Sequence, residues 1–436
     1  MTVTADELLA AIGSPADLER LYRADPRGFA AVFPAARSRA ADSPIVAVWH
    51  ERLLAEATAG TVGASAIGAA ESVADRLARP DFGRRPVVVT IVLALLAGTL
   101  VKLPAFFDID FDWYSSRFPF PIVFSALAAY WLSIHRQRTG FAAAIAVACA
   151  ASVSYLALLP AGDRSATVLL AQIHVPLVLW CMLGLAFAGP QWRSPQRRID
   201  YLRYWGELIV YAAVILLGGI VLTGLTFALF HLISVRVEDF YRSFVVVYGV
   251  VAAPLVATCL YDAVLQRRSW IASLLANLFA PLFLVTVVAY LATMAFLQRS
   301  PYSDRDFLIA LNGLLLLVLA ITVLAVVQRP AERRRGLPDL IGIALVAVTL
   351  AVDAIALSAI VFRLSTLGLT PNRLAVLGAN LLVFAHLGLL LLAAVAVFRG
   401  RAEVRLMEGI TARFLPIYAA WVAIVAFAFP FAFRFA

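Results

Sequence analysis

Apolar runs separated by short polar turns follow one another from residue 86 to the far end of the chain. They fall near residues 86–106, 119–134, 141–160, 166–188, 206–231, 243–264, 270–297, 306–328, 338–362, 374–398 and 412–432. A helix needs about 20 apolar residues to cross the hydrocarbon core of a bilayer. The pattern therefore predicts an all-α polytopic integral membrane protein with about eleven transmembrane helices, forming a bundle over 86–433. The second run is short, while the fifth and seventh are long enough to require tilt. Pro176, Gly218-Gly219, Pro254 and Pro281 interrupt four of the runs. Broken helices lining a cavity and simple packing kinks both account for them.

Residues 1–80 differ in kind. Thr4 with Glu7 fits a capping box. Ser14-Pro15 and Ser43-Pro44 place a capping residue before proline at a first helical position. Ile45, Val48, Trp49 and Leu53 repeat at helical spacing, with His50 beside them. A small soluble helical domain is expected. Residues 57–77, rich in Ala and Gly, form either a flexible link or a helix along the membrane surface.

Composition agrees with the pattern: 63% of residues are hydrophobic and 14% charged, against roughly a quarter charged in soluble chains. The net charge of +9 does not point to nucleic acid, because the arginines lie in turns and not on one soluble face. One set of alternate turns carries 20 arginines and the other, with the C-terminal tip, 10 Lys and Arg. Positive residues are retained in the cytoplasm. The sequence thus predicts an inner-membrane protein with residues 1–80 cytoplasmic and the C-terminus outside. The bilayer is the expected partner, with anionic lipids at the cytoplasmic face and a protein partner through residues 1–80. Met1–Ala10 has no basic start or apolar core, so no cleavable signal peptide is expected. Cys149, Cys181 and Cys259 all sit in apolar runs, which predicts buried thiols and no disulfides.

Asp353 is the one acid deep within its run, and a carboxylate there costs roughly 2.5–3.5 kcal/mol on insertion scales. Gly342, Thr349, Asp353 and Ala356 share a helical face that should turn inward. A proton or cation site is one reading, a hydrogen-bonded packing residue the other. By helical rise, Asp353, His174 and His386 lie roughly 14, 12 and 18 Å from the outer ends of their spans. Gln172, Asn312 and Asn380 lie nearer the outside, and all six are candidates for one polar pocket. His386 and Asn380 stand about 120° apart on their helix, so they do not face one point squarely. Asp108, Asp110 and Asp112 begin like a calcium loop, but Trp113 replaces its glycine and Pro119 its final glutamate. Glu207 and Asp262, near Arg203, Arg267 and Arg268, read as surface ion pairs. No nucleotide loop, zinc signature, nucleophile elbow or haem motif is present, so no catalytic residue, metal or cofactor is expected.

The turn Phe362-Arg363-Leu364-Ser365-Thr366-Leu367-Gly368-Leu369-Thr370-Pro371-Asn372-Arg373-Leu374 is well punctuated. Gly368 suits a helix end, Thr370 a cap and Pro371 a first position. Arg363 and Arg373 are placed to meet lipid phosphate or the external aspartates. This segment resembles the bacterial membrane-protein family called domain of unknown function 4153 and its sister 4173. Arg363, Gly368, Leu369, Thr370 and Arg373 match its late-span motif, and Leu367 stands where the family has tyrosine. Tyr201-Leu202-Arg203-Tyr204-Trp205 is also similar. The resemblance covers roughly residues 90 to 430 and implies a polytopic inner-membrane protein without implying a catalytic residue. The residues favour a non-catalytic membrane component: a scaffold, sensor or assembly partner. The alternative is a small-solute transporter, proton-coupled through Asp353, and a lipid-modifying enzyme comes after both.

Overall fold

The computed structural model describes residues 5–11, 14–25, 28–30, 32–34, 40, 43, 45–46, 49, 52–53, 84–135, 137–160, 165–232, 236–262, 279–289, 292, 305–329 and 336–435. The chain divides into two units, Met1–Asp81 and Phe82–Ala436. In the first, α1 (Ala5–Ala11) and α2 (Pro15–Ala24) are described as helices. Ser14 caps α2 by accepting from the Asp17 amide, with Pro15 at the first helical position. Leu8, Leu18, Phe29, Phe33, Val46 and Trp49 form the core of this unit. Arg52 donates to Glu19 and lies 4.5 Å over the Trp49 ring. The Arg52 and Arg23 hydrogen bonds hold the Glu19 carboxyl below its usual range. Thr4, Pro44, His50 and residues 57–77 lie outside the described residues.

The described residues of the second unit form helices joined by short turns, with no strand among them, as the apolar runs predict. Its elements are α3 (Arg84–Val101), α4 (Leu103–Phe107), α5 (Phe111–Ser115), α6 (Pro119–Ile134), α7 (Thr139–Leu158), α8 (Ala166–Ala188) and α9 (Pro195–Leu232). They continue with α10 (Glu238–Leu260), α11 (Phe279–Ala289), α12 (Arg305–Val327), α13 (Leu337–Leu367), α14 (Pro371–Phe398) and α15 (Arg405–Ala432). Among the described residues eight are long and apolar enough to cross a bilayer, namely α3, α7, α8, α9, α10, α13, α14 and α15. Three shorter apolar helices, α6, α11 and the Leu311–Val327 part of α12, fall on the other three runs.

Several helices outrun the apolar stretches that announced them. Helix α9 starts at Pro195 and not near 206, and α15 starts at Arg405 and not near 412. Hydropathy reports where lipid begins, whereas backbone hydrogen bonding continues the helix through polar residues beyond it. At 38 residues, α9 is about 57 Å long, well over the ~30 Å hydrocarbon thickness. Its Val214, Leu217, Ile220 and Val221 are more than half exposed. Such faces suit hydrocarbon and would be costly in water.

Of the two readings of the interrupters, broken helices and packing kinks, the structure shows no break: α8, α9 and α10 run on through Pro176, Gly218-Gly219 and Pro254, and α11 through Pro281. Five other prolines do more. Proline has no N–H, so it leaves the carbonyl four residues earlier without its helical donor. Pro104, Pro160, Pro190, Pro416 and Pro430 stand four residues beyond Leu100, Leu156, Ala186, Ala412 and Ala426, the first three of which lie in the last turns of α3, α7 and α8. Each of these carbonyls accepts a side chain instead. Tyr114 donates to Leu100 at 2.6 Å, Arg117 to Leu156 at 3.0 Å and Gln137 to Ala186 at 2.7 Å. Arg198 donates to Ala412 at 3.2 Å and Tyr155 to Ala426 at 3.1 Å. In a medium with no water to bond, these contacts satisfy carbonyls that no helical amide reaches.

Hydrogen bonds also show which turns meet. Arg85 reaches the Ser133 carbonyl, His135 reaches Asp262, and Gln137 reaches Ala186. Arg203 reaches Glu408, Asp200 and the Val327 carbonyl, while Arg329 pairs with Asp339. These are the arginine-rich turns. At the opposite helix ends Lys102 donates to the Ser243 carbonyl.

Candidate functional site

The N-terminal part of α9 builds one wall of the site. Tyr201 and Tyr204 are fully buried. Tyr201 donates to the Trp180 carbonyl at 2.6 Å, and the Tyr204 and Thr258 hydroxyls are 2.8 Å apart. These bonds, with the Arg203–Glu408 contact at 2.7 Å, fix the rotation of α9. Trp205 and Gly206 consequently face inward, and the Trp205 ring lies 5.9 Å from that of Trp180.

Beside this wall lies a cavity of about 780 Å³, enclosed by α8, α9, α11, α12, α14 and α15. Ligand pockets run roughly 300–1,000 Å³. Small residues leave the room: Gly206 on α9, Ala320 on α12 and Ala379 on α14 all line it. Most of the remaining wall is aliphatic or aromatic. Leu177, Ile209, Phe279 and Leu316 line the cavity and are also more than a third exposed on the bundle surface. The cavity therefore opens sideways, onto the lipid-facing surface.

Its polar groups are few. His386 is buried, stacks on Phe414 with centroids 4.3 Å apart, and bonds through Nδ1 to the Tyr418 hydroxyl at 3.1 Å. Its Nε2 has no partner among the described residues. Trp421 Nε1 is likewise buried and unpartnered. The Trp421 ring sits directly on Gly378 of α14, where any Cβ would overlap its ring carbons. Gly378 is the residue that lets α14 and α15 approach so closely. His174 also lines the cavity, with Nδ1 2.8 Å from the Leu170 carbonyl of its own helix.

The six residues expected in one pocket separate into groups. His174 and His386 share the cavity. Asn380 donates to Asn312 at 2.7 Å, joining α14 to α12. Asp353 and Thr349 are buried on α13, on the inward stripe that the sequence predicts. Neither Asp353 oxygen nor Thr349 Oγ1 has a hydrogen-bond partner among the described residues. Asp353 and Gln172 line neither this cavity nor a smaller one, of about 90 Å³, beside Arg329 and Asp339.

The 363–373 turn closes on itself. Gly368 has φ +81° and ends α13, Thr370 caps α14 by accepting from the Arg373 amide, and Arg373 donates to the carbonyls of Leu367 and Gly368 at 2.9 and 2.7 Å. Arg373 thus ties the end of α13 to the start of α14 through these carbonyls. Arg363 is half-buried at the same end. Asp110 is used as the cap of α5, accepting from the Trp113 amide at 2.6 Å. No metal-binding group of His, Cys, Asp or Glu occurs among the described residues. The three cysteines are free thiols, Cys149 and Cys259 buried.

Glu207 corrects another expectation. It is buried and accepts from Gln328 at 3.2 Å; it is not a surface ion pair. Asp262 accepts from Tyr130 and faces His135 at 3.4 Å; Arg267 and Arg268 lie outside the described residues. Sequence reasoning missed Tyr418, Trp421 and Gly378. The Gly378–Trp421 contact joins residues of two helices and leaves no mark in the spacing of either. The chain matches no protein-family model, no curated protein and no solved structure.

Proposed function

We propose that the protein is a non-catalytic, multi-pass component of a bacterial inner membrane that takes a lipid-type molecule into its lateral cavity. The observation that carries this reading is the cavity itself. It is large, walled by apolar side chains and rimmed by residues that face lipid. A molecule entering from the surrounding leaflet would exchange one apolar environment for another and need not cross water. The twofold excess of arginine at one set of turns supports placing residues 1–80 in the cytoplasm and the C-terminus outside. The same arginines suit anionic lipid head groups, and residues 1–80 are the natural place for a protein partner. The similarity of Arg363, Gly368, Thr370 and Arg373 to the late-span motif of domain of unknown function 4153 is part of this reading. Passage of a small solute past Asp353 has one observation in its favour, the unpartnered carboxyl. That carboxyl does not line the cavity.

The test is extraction of the full chain in mild detergent, followed by measurement of retained lipid against protein. Ala379→Phe fills the cavity from α14. Wild type is expected to retain lipid in fixed proportion and the variant to lose it. Equal retention by the two would end the proposal.

A further inference from the structure

The cavity stops at one level on three helices. Toward the arginine-rich turns its last described lining residues are Leu202 of α9, Val327 of α12 and Thr411 of α15. At this level Ile199, Val327 and Ala412 of the same helices pack into a buried apolar cluster, joined by Leu202. Arg203 ties the three helices together around it. Its Nε donates to the Val327 carbonyl at 2.5 Å, and its guanidinium reaches Glu408 at 2.7 Å. Arg198 adds a second tie from α9 to α15, donating to the Ala412 carbonyl at 3.2 Å. The cavity thus ends on an apolar plug held by a polar clasp.

Three observations fit a layer that parts. Pro416 stands inside α15 and has no amide for the Ala412 carbonyl, so the helix can bend between Glu408 and the cavity wall at Tyr418. The clasp is partly exposed, and such ion pairs are weak and screened by salt. Glu207, four residues beyond Arg203 on α9, is buried and accepts from Gln328 through Oε1, while its Oε2 has no partner among the described residues. A buried polar atom left unpaired is costly, and water entering an opened layer would relieve that cost. We infer that this layer is a gate: Ile199, Val327 and Ala412 close the cavity toward the arginine-rich turns, and release of Arg203 from Glu408 opens it. Opening joins the lateral cavity to water on that side and gives its contents a second way out. The inference rests on the cavity and not on the lipid proposed to fill it.

Two native cysteines report on the gate. Cys181 lines the cavity, whereas Cys149 is buried in the bundle core and does not. The thiolate is the reactive form, so either residue meets a charged thiosulfonate reagent productively only when water reaches it. The full chain would carry one of these cysteines at a time, in bilayer discs that leave both membrane faces open to the reagent. Slow labelling of Cys181 is expected with the clasp intact. Glu408→Ala, which cuts the clasp, should raise its rate roughly fivefold, the factor that one partly exposed ion pair can supply. Ile199→Ala thins the plug without touching a charge and should raise the rate as well, while Cys149 stays unlabelled throughout. A rate unchanged in both variants overturns the gate. Rapid labelling of Cys181 with the clasp intact also overturns it, because no layer would then close the cavity. Labelling of Cys149 in step with Cys181 overturns it too, since the substitutions would have loosened the whole bundle.

Discussion

Tyr114→Phe removes one oxygen and nothing else from a buried side chain whose hydroxyl donates to the Leu100 carbonyl at 2.6 Å. That carbonyl lies in the last turn of α3, and Pro104, four residues on, has no amide to offer it. Truncating the phenol therefore strands a backbone acceptor at the end of α3, which costs about 1–3 kcal/mol. The same substitution should matter far less in a Pro104→Ala background, where the amide of residue 104 returns and can bond Leu100. A double-mutant cycle isolates this coupling, because the two residues share one acceptor. The four proteins would be unfolded thermally or with denaturant in one detergent, and the energies compared at a common condition. A coupling energy of about 1–3 kcal/mol is expected, with Tyr114→Phe nearly neutral beside alanine. Additive effects would refute the reasoning and detach the tyrosine from the proline.

Two further outcomes are expected. Asp353→Val exchanges an unpartnered buried carboxyl for an apolar group of similar size and should stabilise the bundle by about 1–3 kcal/mol; a loss of stability in thermal melts would mean that the acid has a partner. Impermeant thiol labelling of single cysteines near residue 10 and residue 434, in a background lacking Cys149, Cys181 and Cys259, should modify only the C-terminal site in intact cells. Labelling of both sites or of neither would place the two ends in one compartment.

The apolar runs were enough to position the helices, because crossing hydrocarbon demands long uncharged segments and leaves few alternatives. Helix ends were less legible, as at Pro195 and Arg405, since polar residues extend a helix freely beyond the lipid. Rotation was the least legible property. In a soluble protein the inward face is apolar and the outward face polar, but Leu217 on the surface and Leu179 in the core are chemically alike. Asp353, Thr349 and Ala356 escaped this difficulty because polar and small residues mark an inward stripe. Depth grouped His174 with His386, which both line the cavity, and Asn312 with Asn380, which share a hydrogen bond. Asp353 and Gln172 line neither described cavity, because equal depth says nothing about which way a residue faces on its helix. The 120° separation on α14 was informative: Asn380 turns to Asn312 while His386 turns to Tyr418. The cavity was invisible in advance, since it arises where Gly206, Ala320 and Ala379 of three helices fall opposite one another.

A density map of the full chain in bilayer discs would show whether a lipid-type molecule occupies the lateral cavity. An elongated density entering past Ile209 and Leu316 and filling the space beside Trp205, Ala320 and Ala379 is expected. A cavity closed by inward collapse of its own side chains, or filled by ordered water continuous with either surface, would contradict it.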